Sequence, residues 1–71
     1  MKLHNKLLMG FHNLRMEIVR FTKKNRAVTT SEIAAHFKIS WNTAEKYLLE
    51  LVLENKLLRL KKQGVNIWIL K

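Results

Sequence analysis

Along the first third of the chain, apolar residues return at alternating spacings of four and three. Leu7, Phe11, Leu14, Ile18 and Phe21 make up this series. The helical period of about 3.6 residues places all five on one face. Lys6, Asn13, Arg20 and Lys24 fall mostly off that face. The pattern predicts a first helix over about residues 5–24, slightly weakened by Gly10, since glycine disfavours a helix interior. Leu3, Leu8 and Val19 lie outside the main stripe. They either widen the core face or meet a second subunit.

A second helix has a marked start. Thr29 and Glu32 stand at the spacing of a capping box, in which the hydroxyl accepts from the amide three residues on and the carboxylate reaches back. Val28 and Ile33 occupy the positions of a hydrophobic staple. Ile33, Ala34 and Phe37 then give a short apolar face that ends near Phe37 or Lys38. Ser40 is a good N-cap for a third helix. Ala44, Leu48 and Leu51 form its buried stripe, Tyr47 flanks it, and it ends near Glu54. Asn55 suits a left-handed position after a helix where glycine is lacking. Beyond it the period changes to two. Residues 57–61 and 65–70 read as β-strands separated by Lys62, Gln63 and Gly64, a hairpin with a basic tip. Ala27 and Val28 suit a very short third strand at its edge. The expected class is α+β and mostly helical: three helices, then a hairpin.

Size and charge sharpen this picture. The chain has 71 residues, the length of one domain spanning residues 1–71. Hydrophobic residues make up 48% of it, enough for one compact core, and there is no cysteine. Thiolate metal sites, disulfides and thiol nucleophiles are thereby excluded. Fourteen Lys and Arg face five acidic residues, a formal net charge of +9. So large an excess on so small a surface creates a strong positive potential, and nucleic acid is the first partner to consider. The alternative, a lysine-rich soluble surface, normally pairs Lys with Glu, and Glu is scarce here. The longest apolar runs fall far short of the roughly 20 residues of a membrane span. The start, with Met1 and Met9 at its ends, has no leader-like apolar region or cleavage site. The expectation is a cytoplasmic protein without a membrane partner.

Little supports other chemistry. There is no Asp, and the acids are Glu17, Glu32, Glu45, Glu50 and Glu54. Glu32 is assigned to the cap and the other four to solvated helix positions. A metal-dependent nuclease needs clustered carboxylates. His4, His12 and His36 lack the spacing of paired ligands on one helix. Gly10 and Gly64 are the two glycines, too few for a phosphate-cradling loop. No enzyme activity, cofactor, metal or small-molecule ligand is expected.

The residues from Val28 to Leu51 resemble the helix-turn-helix of archaeal and bacterial winged-helix transcription regulators. The landmarks are Glu32, Ile33 and Ala34 in the first helix of the motif, Ile39 and Ser40 in the turn, and Ala44, Leu48 and Leu51 in the second. Asn55, Lys56 and Leu57 resemble the Gly-Lys-Leu that often enters the wing in that family. The likeness extends to Leu70, about two-thirds of the chain, and the helix before it fits the family's first helix. Two departures stand out. Asn replaces Gly at position 55, and Trp41 opens the recognition helix where a smaller polar residue is more common.

The resemblance implies a three-helix helix-turn-helix core followed by a β-hairpin wing, and a regulator that binds double-stranded DNA. The third helix would enter the major groove with its N-terminal residues at base edges. Asn42, Thr43 and Lys46 lie off its buried stripe, and Ser40 with the free amides of the helix start suits a phosphate. Trp41 lies against a DNA backbone or sugar, or else packs on the first helix. Arg59, Lys61, Lys62 and Gln63 on the wing would grip the backbone or minor groove. Each of these also reads as an ordinary solvated polar residue. The alternative function is a winged-helix module for protein or RNA contacts. A homodimer on DNA is expected from the surplus apolar residues Leu3, Leu8, Val19, Trp68 and Leu70, with half-sites about 10 bp apart.

Overall fold

The computed structural model describes the backbone of residues 2–71 and the side chains of residues 14–71. Helix α1 runs over Lys2–Asn25, strand β1 over Ala27–Thr29, helix α2 over Thr30–Phe37 and helix α3 over Trp41–Leu53. Strands β2 (Leu57–Lys62) and β3 (Val65–Leu70) follow. The sheet is antiparallel in the order β1-β3-β2. Helices packed on one side of a three-stranded sheet give the α+β, winged-helix architecture that the sequence implies.

The predicted apolar stripes build the core. Ile18 from α1, Val28 from β1, Ile33 from α2, Ala44, Leu48 and Leu51 from α3, Leu57 from β2 and Trp68 from β3 form one buried cluster. Leu14, Val19 and Phe21 pack against it from α1. The remaining expectations on this helix, for Leu3, Lys6, Leu7, Leu8, Gly10, Phe11 and Asn13, concern side chains outside the described residues, as do His4 and His12. Thr22 is also fully buried. Its hydroxyl donates to the Ile18 carbonyl at 2.8 Å, so it satisfies itself along the helix and can face the core.

Local chemistry sets the element boundaries. The capping box at α2 is complete: Thr29 Oγ1 accepts from the Glu32 amide at 3.2 Å, and Glu32 Oε1 accepts from the Thr29 amide at 2.8 Å. Thr29 thus ends a strand and starts a helix in one residue. Ser40 caps α3 by accepting from the Thr43 amide at 3.0 Å. Asn55 is left-handed, as its residue type implies, with φ 63°. Two further junctions are left-handed without a residue type that favours it, Arg26 (φ 72°) and Lys38 (φ 58°). Lys38 forms the helix-turn-helix turn. A side chain with a Cβ pays roughly 1–2 kcal/mol there.

The hairpin turn is tighter than expected. Lys62 pairs with Val65, so the turn consists of Gln63 and Gly64 alone, both at positive φ (51° and 80°). That is the primed turn whose twist matches the strands it joins.

Strand register then sorts the side chains. Val28 pairs with Trp68, and Arg59 with Trp68 from the other side. Since side chains alternate, Leu57, Arg59, Lys61, Asn66, Trp68 and Leu70 point toward the helices. Leu58, Leu60, Lys62, Val65, Ile67, Ile69, Ala27 and Thr29 point away. This corrects one expectation. Trp68 is completely buried, and Leu70 and Val19 pack on the core, so none of the three is surplus surface. The half-buried face of a hairpin is decided by register, and register here places the tryptophan inward.

Candidate nucleic-acid interface

Helix α3 exposes one stripe. With Ala44, Leu48 and Leu51 inside, the residues on the opposite side are Asn42, Lys46, Leu49 and Leu53, all exposed. The first two are polar and lie in the first two turns. Ser40 and Trp41 are exposed beside them, and Thr43 is half-buried. Trp41 leaves 49% of its surface open and is not among the residues packed on the core.

The cap constrains the hydroxyl chemistry of this end. Ser40 Oγ donates to Thr43 Oγ1 at 2.8 Å while accepting from the Thr43 amide. The Ser40 proton is therefore engaged. Thr43 receives that bond, so its own hydroxyl proton is free to donate outward.

The hairpin is fastened to α3 by a polar relay that sequence reasoning missed. Trp68 Nε1 donates to Thr30 Oγ1 at 2.9 Å, and that hydroxyl donates to Glu45 Oε1 at 2.7 Å. Asn66 Nδ2 donates to the other carboxylate oxygen, Oε2, at 3.1 Å. Glu45, assigned above to a solvated position, instead joins α2, α3 and β3. The correction has a physical reason. A buried indole N–H requires an acceptor, Thr30 supplies it, and the hydroxyl proton then needs an acceptor of its own. The available signal was a Trp on the strand facing a helix that carries a lone acid. Asn66 Oδ1 is buried with no partner.

This relay brings the wing to the recognition helix. Asn66, bonded to Glu45, pairs with Lys61 in the sheet. Lys61 and Arg59 share the helix-facing side of the hairpin and are exposed. Lys62 points to the other side by alternation and, with Gln63, sits at the tip. The structure therefore sets Ser40, Trp41, Asn42, Thr43 and Lys46 together at the start of α3, puts Arg59 and Lys61 on the helix-facing side of the hairpin, and leaves Lys62 and Gln63 at its tip.

Charges elsewhere are partly neutralised. Arg15 on α1 pairs with Glu54 and, at 3.7 Å, with Glu50. Lys56 approaches Glu54 at 3.8 Å, and Arg20 pairs with Glu17 at 3.1 Å. Arg15 and Arg20 are thus engaged within the molecule. Among the described residues no carboxylate pairs with Lys46, Arg59, Lys61 or Lys62, which leaves these cations open to an external anion. Acidity is concentrated in the C-terminal half of α3 and on its α1 side. His36, far from these groups, stacks on Phe21 at a centroid separation of 4.2 Å. Among the described residues there is no cluster of His, Asp and Glu able to hold a metal ion, and no helix is long and apolar enough to cross a membrane.

Among solved structures, the Zalpha domain of PKZ from Carassius auratus, crystallised in complex with Z-DNA, shares this fold. The TM-score is 0.77 at 18% identity, over 84% of this chain and 95% of that one. At this identity the likeness shows the fold. Comparison with curated proteins gives no significant match. Residues 14–71, the three helices' described part and the whole sheet, match the family described as FaeA-like protein. The chain is a winged helix-turn-helix domain and belongs to the FaeA-like protein family.

Proposed function

We propose that this protein binds double-stranded DNA, reads it with α3 in the major groove, and regulates transcription in the cytoplasm without catalysing a reaction. One observation carries the reading. The first two turns of α3 present Asn42 and Lys46 on an uncovered surface with half-buried Thr43 beside them, and the Glu45–Asn66 bond fastens to this helix a wing with unpaired cations. Neutral hydrogen-bonding groups suit base edges, with Asn able to make a bidentate contact to adenine. Cations suit phosphates and supply affinity without sequence preference. Ser40 and Trp41 flank the phosphate next to the helix start. Arg59 and Lys61 meet the backbone beside α3, and Lys62 and Gln63 reach further along it or into the minor groove.

The test is a set of binding isotherms on a selected duplex and a random duplex over a salt series. Asn42→Ala should cost about 1–3 kcal/mol on the selected duplex and much less on the random one. Lys61→Ala should weaken both alike and lower the salt slope by about one. A duplex held in the left-handed form belongs in the same series, because that is the ligand in the Zalpha crystal. Equal loss on both right-handed duplexes for Asn42→Ala would remove base readout from α3.

A second reading, contact with another protein, is favoured by Leu49 and Leu53, which continue the exposed stripe of α3 as apolar residues. Leu53 is 82% exposed. Failure of every duplex to bind at low salt would replace the DNA reading with this one.

A further inference from the structure

A groove open to solvent runs between the last turns of α1 and the end of α2. Arg20, Phe21, Lys24 and Asn25 line it from α1, and His36 and Phe37 from α2, around a volume of about 320 Å³. Sites for small ligands span about 300–1,000 Å³, so the groove has room for one planar group. Its floor is aromatic. His36 stacks on Phe21 with centroids 4.2 Å apart and planes 28° apart. Phe37 meets both rings edge-on, 5.8 Å from Phe21 and 4.7 Å from His36. Phe21 and Phe37 also pack on the core, which holds them in place. His36 is exposed, so a supported ring faces solvent.

Polar groups surround this floor. Lys24 is exposed, and among the described residues no carboxylate pairs with it. Arg20 pairs with Glu17, also at the groove, at 3.1 Å. Both are exposed, and such a pair contributes little, so an incoming anion can replace Glu17 on Arg20. Asn25 Nδ2 donates to the Phe21 carbonyl at 2.8 Å. Its Oδ1 is left as an acceptor.

We propose that this groove binds a nucleotide, with its base stacked on His36 and its phosphate on Lys24 and Arg20. An aromatic face beside cations is the arrangement on which unpaired bases stack while their phosphates are neutralised. Charge complementarity favours this ligand. The chain carries +9 and draws anions, and Lys24 is a cation without a partner of its own. A purely apolar ligand leaves that ammonium unanswered, and a lone phosphate leaves the rings unused. Asn25 Oδ1 is placed to accept from an N–H on the base edge. Glu17 opposes the phosphate, which keeps the affinity modest. None of the residues assigned to duplex contact lines the groove, so the inference stands whether or not α3 reads DNA.

NMR and calorimetric titrations of the whole chain test it, with 5′-thymidylate, thymidine, inorganic phosphate, a five-residue oligothymidylate and its abasic counterpart as probes. 5′-Thymidylate should bind and shift the His36 ring protons. Thymidine and phosphate should each bind at least about fivefold more weakly, as should 5′-thymidylate to His36→Ala, which removes the stacking surface. Lys24→Gln should weaken binding, and Glu17→Gln should tighten it. Lys23→Gln removes the same charge outside the groove and should leave it unchanged. Tighter binding of the oligothymidylate than of 5′-thymidylate identifies a single strand as the source of the nucleotide, and equal binding identifies the free nucleotide. Far-UV circular dichroism checks that the variants fold. If His36→Ala does not, the wild-type titration decides: His36 ring protons that stay unmoved at saturation overturn the proposal. So does an abasic oligomer that binds as well as the oligothymidylate, or a Lys23→Gln loss equal to that of Lys24→Gln.

Discussion

Replacing Glu45 with alanine should loosen the wing from the recognition helix. The carboxylate accepts two hydrogen bonds, from Thr30 Oγ1 at 2.7 Å and from Asn66 Nδ2 at 3.1 Å. Hydrogen bonds to a charged group contribute about 1.5–3 kcal/mol each. Glu45 is half-buried, so solvent takes over part of that interaction, and the lower end applies. Alanine should therefore cost about 3 kcal/mol. A domain of this length has a total stability of roughly 4–10 kcal/mol at 0.05–0.15 kcal/mol per residue, so the loss is a large share of it. Glutamine should cost much less, about 1 kcal/mol. Its carbonyl keeps the Thr30 bond. Its amide needs an acceptor, and Asn66 Oδ1, buried without a partner, supplies one once the Asn66 amide turns over. Urea unfolding measures both variants. The Trp68 indole proton, read by NMR, should shift strongly in Glu45→Ala and slightly in Glu45→Gln. In DNA binding the two should diverge further. Both variants remove a negative charge beside Lys46 and should tighten binding on any sequence, but alanine should in addition lose discrimination between sequences. A cost below about 0.5 kcal/mol for alanine, or equal costs for the two variants, would refute the relay as the fastening between α3 and the wing.

Lys38→Gly should stabilise the fold by about 0.5 kcal/mol, since relief of the left-handed strain at φ 58° exceeds the chain entropy that glycine adds; a lower midpoint in urea would contradict this. Thr29→Ala should cost about 1 kcal/mol by removing half of the capping box, and a change within experimental error would show that the box is dispensable. Leu48→Ala, at a completely buried site, should cost about 2–5 kcal/mol through the cavity it leaves, measured in the same unfolding assay. Arg15→Ala should change stability by less than about 1 kcal/mol because its partners are partly exposed. It should weaken binding to any DNA, since Glu50 and Glu54 are then uncompensated; unchanged affinity at low salt would show that these acids lie outside the reach of the bound polyanion.

What the amino-acid order determined by itself was everything local. The helical period of Ala44, Leu48 and Leu51, the Thr29–Glu32 capping box, the Ser40 cap and the left-handed Asn55 all act within a few residues. Their geometry follows from residue type and spacing alone. The charge excess, the three-helix order and the hairpin were legible for the same reason. The grouping of Ser40, Trp41, Asn42, Thr43 and Lys46 followed from helix phase. Tertiary structure decided the rest. Two apolar faces on one hairpin left the inward side undetermined, because alternation fixes which residues share a face and not which face meets the core. Only pairing with Val28, and an acceptor for the indole at Thr30, placed Trp68 inside. The same register sent Arg59 and Lys61 toward α3 and Lys62 away. Glu45 looked like any solvated helical acid, since its partners Thr30 and Asn66 lie 15 and 21 residues away. No local pattern announces a bond across such separations, which exists only once helices and sheet have packed.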